Sequence, residues 1–128
     1  MARKVLHIPG KWHGDQPIPP ATKTGPIVTS GGVMGLNPET NEVPEDIAEQ
    51  AKWAFEHVRR IMAAAGGTTD DIAHVNVFVK SRDARPIINK EWVAMFPDEE
   101  SRPTRHTIQN DALPGNMQLQ LQFTAYVA

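Results

Sequence analysis

The 128-residue chain has no cysteine. That removes disulfides, thiolate nucleophiles and thiolate metal ligands together, and it fits a reducing cytoplasm. No apolar run approaches a membrane span, and the opening MARKVLHIPG lacks the apolar core of a secretory leader, so a chain with no membrane partner is expected. Arg3-Lys4 and Arg59-Arg60 are the adjacent basic pairs and the formal net charge is -2, so no basic stripe points to nucleic acid. His7, His13, His57, His74 and His106 do not follow the spacing of a zinc site, and no metal is expected. No G-x-S-x-G turn is present to hold a strained serine nucleophile. Aromatic residues make up 6% of the chain, and Trp12, Trp53 and Trp92 lie too far apart in sequence to suggest a platform for stacking bases.

What is present is organised around the last quarter of the chain. After Leu113-Pro114-Gly115-Asn116, a turn, comes the longest alternating run in the sequence. Met117, Leu119, Leu121, Phe123, Ala125 and Val127 share one face of it, and Gln118, Gln120, Gln122, Thr124 and Tyr126 share the other. A period of two predicts a strand with one face in the core. The opposite face is polar yet uncharged, which suggests a cleft or a contact between subunits rather than open solvent.

The length suits one domain over residues 1–128, small enough to gain from oligomerisation. A strand is expected from Lys4 to Ile8, stopped by Pro9-Gly10. Residues 11–24 read as irregular because Pro17, Pro19 and Pro20 remove backbone donors. Ile27 to Leu36 reads as a strand interrupted at Gly31-Gly32, either by a bulge or by close approach of a ligand to the backbone. A helix opens at Pro44-Glu45-Asp46, carries an apolar stripe from Ile47 through Phe55 and Val58 to Ala65, and ends at Gly66-Gly67. Asp70-Asp71 reads as a turn and cap, Ile72 to Val79 as a buried strand, and about 83 to 96 as a second helix with Pro86 in its first turns. A strand from about Arg105 to Asn110 precedes the final one. This order describes an α+β layer with both helices on one side of a sheet.

Arg105, two residues after Pro103, is the side chain most suggestive of chemistry. A planar guanidinium among neutral neighbours needs an anionic partner, which it grips bidentately. That partner is either a bound ligand or one of the nearby acids, Asp111 or Glu99-Glu100, in a structural ion pair. The residue types leave both readings open. His106 should point to the opposite face of the strand.

The chain also resembles the RidA/YjgF family of small enamine/imine deaminases, part of the endoribonuclease L-PSP-like superfamily. The resemblance rests on Ile27-Val28-Thr29-Ser30-Gly31, Asn37-Pro38-Glu39-Thr40, Gln50-Ala51, Ala65-Gly66, Val75-Asn76-Val77-Phe78-Val79, Asn89 with Trp92 and Phe96, Arg102-Pro103-Thr104-Arg105, and Ala112-Leu113-Pro114, in that order and spacing. It implies a chorismate-mutase-like α+β fold, with a mixed sheet backed by two helices. It also implies a homotrimer whose sheets form a central barrel, with clefts between subunits. Arg105 would hold the substrate carboxylate beside the backbone of Ser30, Gly31 and Gly32, with Asn89 also lining the site. Residues at Thr107 and Gln120 would hold the attacking water. The implied substrate is a small 2-enamine or 2-imino acid, converted to the 2-oxo acid and ammonia without a cofactor.

The chain departs from that pattern at three places. Gln120 stands where deaminating members have a glutamate, and Thr107 where they often have a cysteine. Ile18 or a neighbour replaces the tyrosine at the amino-terminal lip of the cleft. Carboxylate binding carries over well, whereas proton transfer does not, because glutamine orients water but accepts no proton from it. The alternatives are a divergent paralogue with another carboxylate substrate, such as an aminomuconate-like enamine, a binding module that uses the same cleft for a small carboxylate, and a ribonuclease or translation inhibitor, a label some family members carry. The charge pattern weighs against the last.

Overall fold

Residues 2–128 are described by a computed structural model. The order of elements is β1 (Arg3–Leu6), β2 (Ala21–Thr24), β3 (Ile27–Ser30), β4 (Val33–Met34), α1 (Ile47–Ala64), β5 (Ile72–Val79), α2 (Arg85–Met95), β6 (Thr104–Gln109) and β7 (Leu119–Tyr126). The strands form one sheet of seven, in the order β1-β2-β3-β7-β5-β6, with β4 also paired to β7. The pair β5–β6 is parallel and its neighbours are antiparallel, so the sheet is mixed. A parallel pair requires a crossover, and α2 supplies it. The fold is α+β, as the order of elements predicts. No helix among the described residues is long and apolar enough to cross a membrane.

The final strand behaves as its alternation predicts. Leu119, Leu121 and Phe123 are fully buried, while Gln118, Gln120, Gln122 and Thr124 on the other face are half-buried. The core face meets Ala51, Ala54, Phe55, Val58, Ile61 and Met62 of α1 and Ile88, Trp92 and Met95 of α2. Asp46 caps α1, its side chain accepting from the Ala48 amide. Gly66, at φ 79°, closes the other end, where the Gly67 amide bonds back to the Met62 carbonyl. Thr68 and Asp71 form a reciprocal capping box, as expected of a turn there.

Several boundaries differ from the sequence reading. The first strand starts and ends earlier, at Arg3–Leu6. Residues 11–24 are not irregular throughout: β2 begins immediately after Pro20, where every residue again has an amide to donate, and pairs with β3 across the turn at Gly25-Pro26. The stretch 27–36 is two strands. Thr29 pairs with Thr124 and Val33 with Leu121, so Ser30, Gly31 and Gly32 stand opposite Gln122 and Phe123, one residue in excess. This is a bulge. The Ser30 hydroxyl accepts from the Phe123 amide at 2.9 Å and so fills the gap in the ladder. The second helix is preceded by a 3-10 turn over Arg82–Ala84, with Pro86 in the first turn of α2.

Gln50 ties this framework together. It is fully buried, and its amide donates to the carbonyls of Pro44 (2.7 Å) and Asn116 (2.9 Å) and accepts from the Gln118 amide (2.9 Å). It thereby fastens the start of α1 to the turn that launches β7. A Cβ at Gly35 would strike the backbone of Gln50, so the helix rests directly on the chain there.

Candidate functional site

Arg105 lies on β6, at an edge of the sheet. Its partner in register is Val75, and that of Thr107 is Val77, both buried on the helix side. Residues directly opposite across a ladder share a face, so Arg105 and Thr107 point toward α2. There the guanidinium lies over the Trp92 ring, 5.1 Å from its centroid. Its Nε donates to the Thr107 hydroxyl at 3.0 Å. The ring covers the guanidinium and the hydroxyl takes Nε, while neither terminal nitrogen has a hydrogen bond among the described residues.

Among the described residues, ion pairs join Glu56 to Arg59 and to Arg60, and none involves Arg105. The structure therefore gives Arg105 neither Asp111 nor Glu99-Glu100 as an ion-pair partner. Burial pushes the pKa of Arg105 down, and the nearby charge of Arg85 pushes it the same way. Arg105 and Thr107 line an open depression of about 680 Å³ together with Arg85, Asn89, Trp92 and Arg102. Pro103 and His106 complete the lining, which includes no carboxylate. His106 pairs with Asn76 and so belongs to the opposite face of β6, as expected, though on this edge strand it still borders the depression. Arg102 is committed elsewhere: its Nε donates to the Phe96 carbonyl at 2.8 Å, satisfying the end of α2.

Ser30, Gly31 and Ile18 come together at a second, smaller depression of about 160 Å³, with Thr29 and Thr22 beside them. Gln120 stands over Gly32, where an added Cβ would lie 2.5 Å from the amide nitrogen. Gln120 pairs with Phe78, on the face of the sheet away from the helices. Within one chain, Arg105, Thr107 and Asn89 are thus brought together, and so are Ile18, Ser30 and Gly31. The two groups are not joined, and Gln120 is not beside Arg105.

Two features escaped the sequence reading. Arg85 shares the depression with Arg105; with Asn89 and Trp92 it stands at i, i+4 and i+7 of α2, a stripe visible once the helix is drawn. The tryptophans, dispersed in sequence, are not all apart in space. Trp12 meets the His57 ring edge-on at 4.7 Å and Trp53 stacks on it at 5.7 Å. His57 is fully buried, with Nε2 2.6 Å from the Leu36 carbonyl and Nδ1 without a partner among the described residues. Its pKa is lowered, chiefly by burial; the Leu36 carbonyl opposes that shift.

Comparison with known proteins places this geometry in context. The family model described as Endoribonuclease L-PSP matches residues 16–127. A RutC family protein of Haemophilus influenzae is 30% identical over 127 residues, 98% of each chain. A 2-iminobutanoate/2-iminopropanoate deaminase of Escherichia coli is 30% identical over 102 residues, 79% of this chain and 80% of the relative. The solved structure of Escherichia coli TdcF with bound serine superimposes with a TM-score of 0.86 at 27% identity, covering 98% of this chain and 99% of that one.

Proposed function

The chain belongs to the Endoribonuclease L-PSP family, and on that premise we propose that it is a deaminase of small 2-imino and 2-enamino acids. The observation that carries the reading is Arg105: a guanidinium held by Trp92 and Thr107, in a depression without an acid, with its terminal nitrogens free to take a carboxylate. The 30% identity to a 2-iminobutanoate/2-iminopropanoate deaminase supports the same substrate class.

In this reading the carboxylate is seated on Arg105 and C2 of the imine is presented to water. The water oxygen bonds to C2 as the C=N electron pair moves to nitrogen, which takes a proton. The resulting carbinolamine loses ammonia as its C–O bond becomes a carbonyl. Gln120 orients the water through its amide. The two lining groups separated within one chain meet where one copy's β6 edge docks against another copy's bulge, so the working unit is a homotrimer with shared clefts. The uncharged polar face of β7 supports that assembly.

The test is ammonia release from 2-iminopropanoate generated in situ by an amino-acid oxidase. Arg105→Ala should remove most of the enzyme-dependent rate. A wild type with no activity that still binds 2-oxo acids would favour a carboxylate-binding module, a reading that the glutamine at position 120 supports. RNA cleavage in metal-free buffer, lost on Arg105→Ala, would favour the ribonuclease reading instead.

A further inference from the structure

His13 is a titratable side chain set against the bulge at Ser30, Gly31 and Gly32. It holds a left-handed backbone at φ 59°, a conformation that residues other than glycine seldom adopt unless the surroundings impose it. Its ring lies beside Trp12, and its Nε2 is buried with no hydrogen-bond partner among the described residues. That nitrogen is sealed within a single chain, so a second copy docking at the bulge cannot supply its partner. It faces Gly31. A Cβ built there would lie 3.5 Å from Nε2, 3.7 Å from the Pro19 carbonyl oxygen and 3.8 Å from that of Pro20. Gly31 and Pro19 also line the depression shared with Ile18 and Ser30. The glycine thus leaves a notch between the imidazole and that depression, with three polar atoms around it, enough to hold one water. Lys11 and Asp15 flank His13 in its own segment and are exposed, and His57 lies beyond the Trp12 ring. Among the described residues no ion pair involves His13.

Resting on the deaminase reading, we propose that His13 supplies the proton transfer that Gln120 cannot, acting through one water held at the Gly31 notch. With the proton of the neutral ring on Nδ1, Nε2 is an acceptor. The relay water donates to Nε2 and to a proline carbonyl, and accepts from the attacking water. As the attacking oxygen bonds to C2, its proton passes to the relay water, which gives one of its own to Nε2. The imidazolium returns a proton by the same route to the imine nitrogen. When the carbinolamine collapses, the hydroxyl proton takes that path too, the C–N bond breaks and neutral ammonia leaves. The ring ends as it began, and no further reactant is consumed. Gln120 stands over the adjoining Gly32, so orienting the water and taking its proton divide between neighbouring positions of one bulge. A base one water removed is slower than a carboxylate in contact, and a glutamate at position 120 would bypass it.

The experiment follows enzyme-dependent hydrolysis of 2-iminopropanoate against pH for the wild type, His13→Asn and Gly31→Ala, and repeats His13→Asn in a Gln120→Glu background. Asparagine tolerates the left-handed backbone at position 13 and does not titrate. A Cβ at Gly31 meets its neighbours at ordinary contact distance, so Gly31→Ala should fold while filling the notch. The wild-type rate should fall from about pH 8 to about pH 5, where imidazoles gain a proton. Both variants should be at least about tenfold slower, and His13→Asn should lose the acid limb. In the Gln120→Glu background His13→Asn should cost no more than about twofold, because the carboxylate takes the proton directly. Calorimetric binding of 2-oxobutyrate should be unchanged in both variants. Full activity of either variant, or an acid limb that persists in His13→Asn, would overturn the relay and leave the deaminase reading on Arg105. An equal loss in both Gln120 backgrounds, or a loss of 2-oxobutyrate binding with the rate, would make His13 a support for the bulge and overturn the relay. No enzyme-dependent hydrolysis by the wild type would overturn the relay and the deaminase reading together.

Discussion

Gln120 and Arg105 stand on opposite faces of one sheet, Gln120 in register with Phe78 on the open face and Arg105 with Val75 on the helix face. No rotamer change brings the two side chains together, since strand β5 lies between their strands. If both serve one reaction, they come from different copies of the chain.

Assembly is therefore the first expectation. The native mass should be three times 14.1 kDa by light scattering. Mixed trimers of Arg105→Ala with Gln120→Leu should regain about a quarter of the wild-type sites, because a random mixture places both intact halves at one interface in four. A site contained in one chain would regain none.

Gln120→Glu tests the departure from the family pattern. General-base assistance is typically worth about 100-fold to 10,000-fold. Wild-type hydrolysis of 2-iminopropanoate should be slow, and the glutamate variant at least about tenfold faster, measured as lost semicarbazone formation. A fast wild type that Gln120→Glu does not improve would mean that water is activated elsewhere. Gly32→Ala is the companion variant: its methyl meets only the movable end of Gln120, so the fold should persist while the amide shifts.

Arg105→Ala should weaken binding of small 2-oxo acids about tenfold to a hundredfold, the worth of a charged bidentate hydrogen bond in a partly shielded site. Arg105→Lys should recover little, because an ammonium neither forks nor keeps the contacts with Trp92 and Thr107. Unchanged affinity by calorimetry would give Arg105 a purely structural role.

His57 makes stability depend on pH. Its folded pKa is lowered from 6.5, mainly by burial, so below 6.5 the unfolded chain binds the proton that the folded one refuses. Stability is full above that value and declines as pH falls toward the lowered folded pKa. Between about pH 7.5 and pH 5 the wild-type Tm should fall more than that of His57→Gln, which has no proton to gain there. Parallel curves for the two proteins would remove His57 as the cause.

Gln50→Leu should lower stability by about 3 kcal/mol in urea unfolding, since it strands the Pro44 and Asn116 carbonyls and the Gln118 amide. Gly35→Ala should be more damaging than Gly32→Ala, because it meets helix backbone rather than a side-chain end.

The local code alone determined much of the fold. Alternation in β7, the 3.6-residue stripe of α1, its opening near Asp46 and its Gly66 stop, and the turn and cap at Asp70-Asp71 act over a few residues and are legible there, whereas Asp46 and Thr68 as the capping side chains are not. The strand Ile72–Val79 was recognisable in full by the same logic. Tertiary structure decided what short range cannot: that β2 resumes pairing directly after Pro20, and that three residues from Ser30 to Gly32 face two in β7. The site divides along the same line. That Arg105 would seek an anion could be read from its type and its neutral sequence neighbours, but not whether that anion is a ligand or a nearby acid. That Trp92 supports Arg105, that Arg85 converges on it, and that Gln120 faces away are consequences of register and helix docking, which depend on contacts between residues distant in the chain.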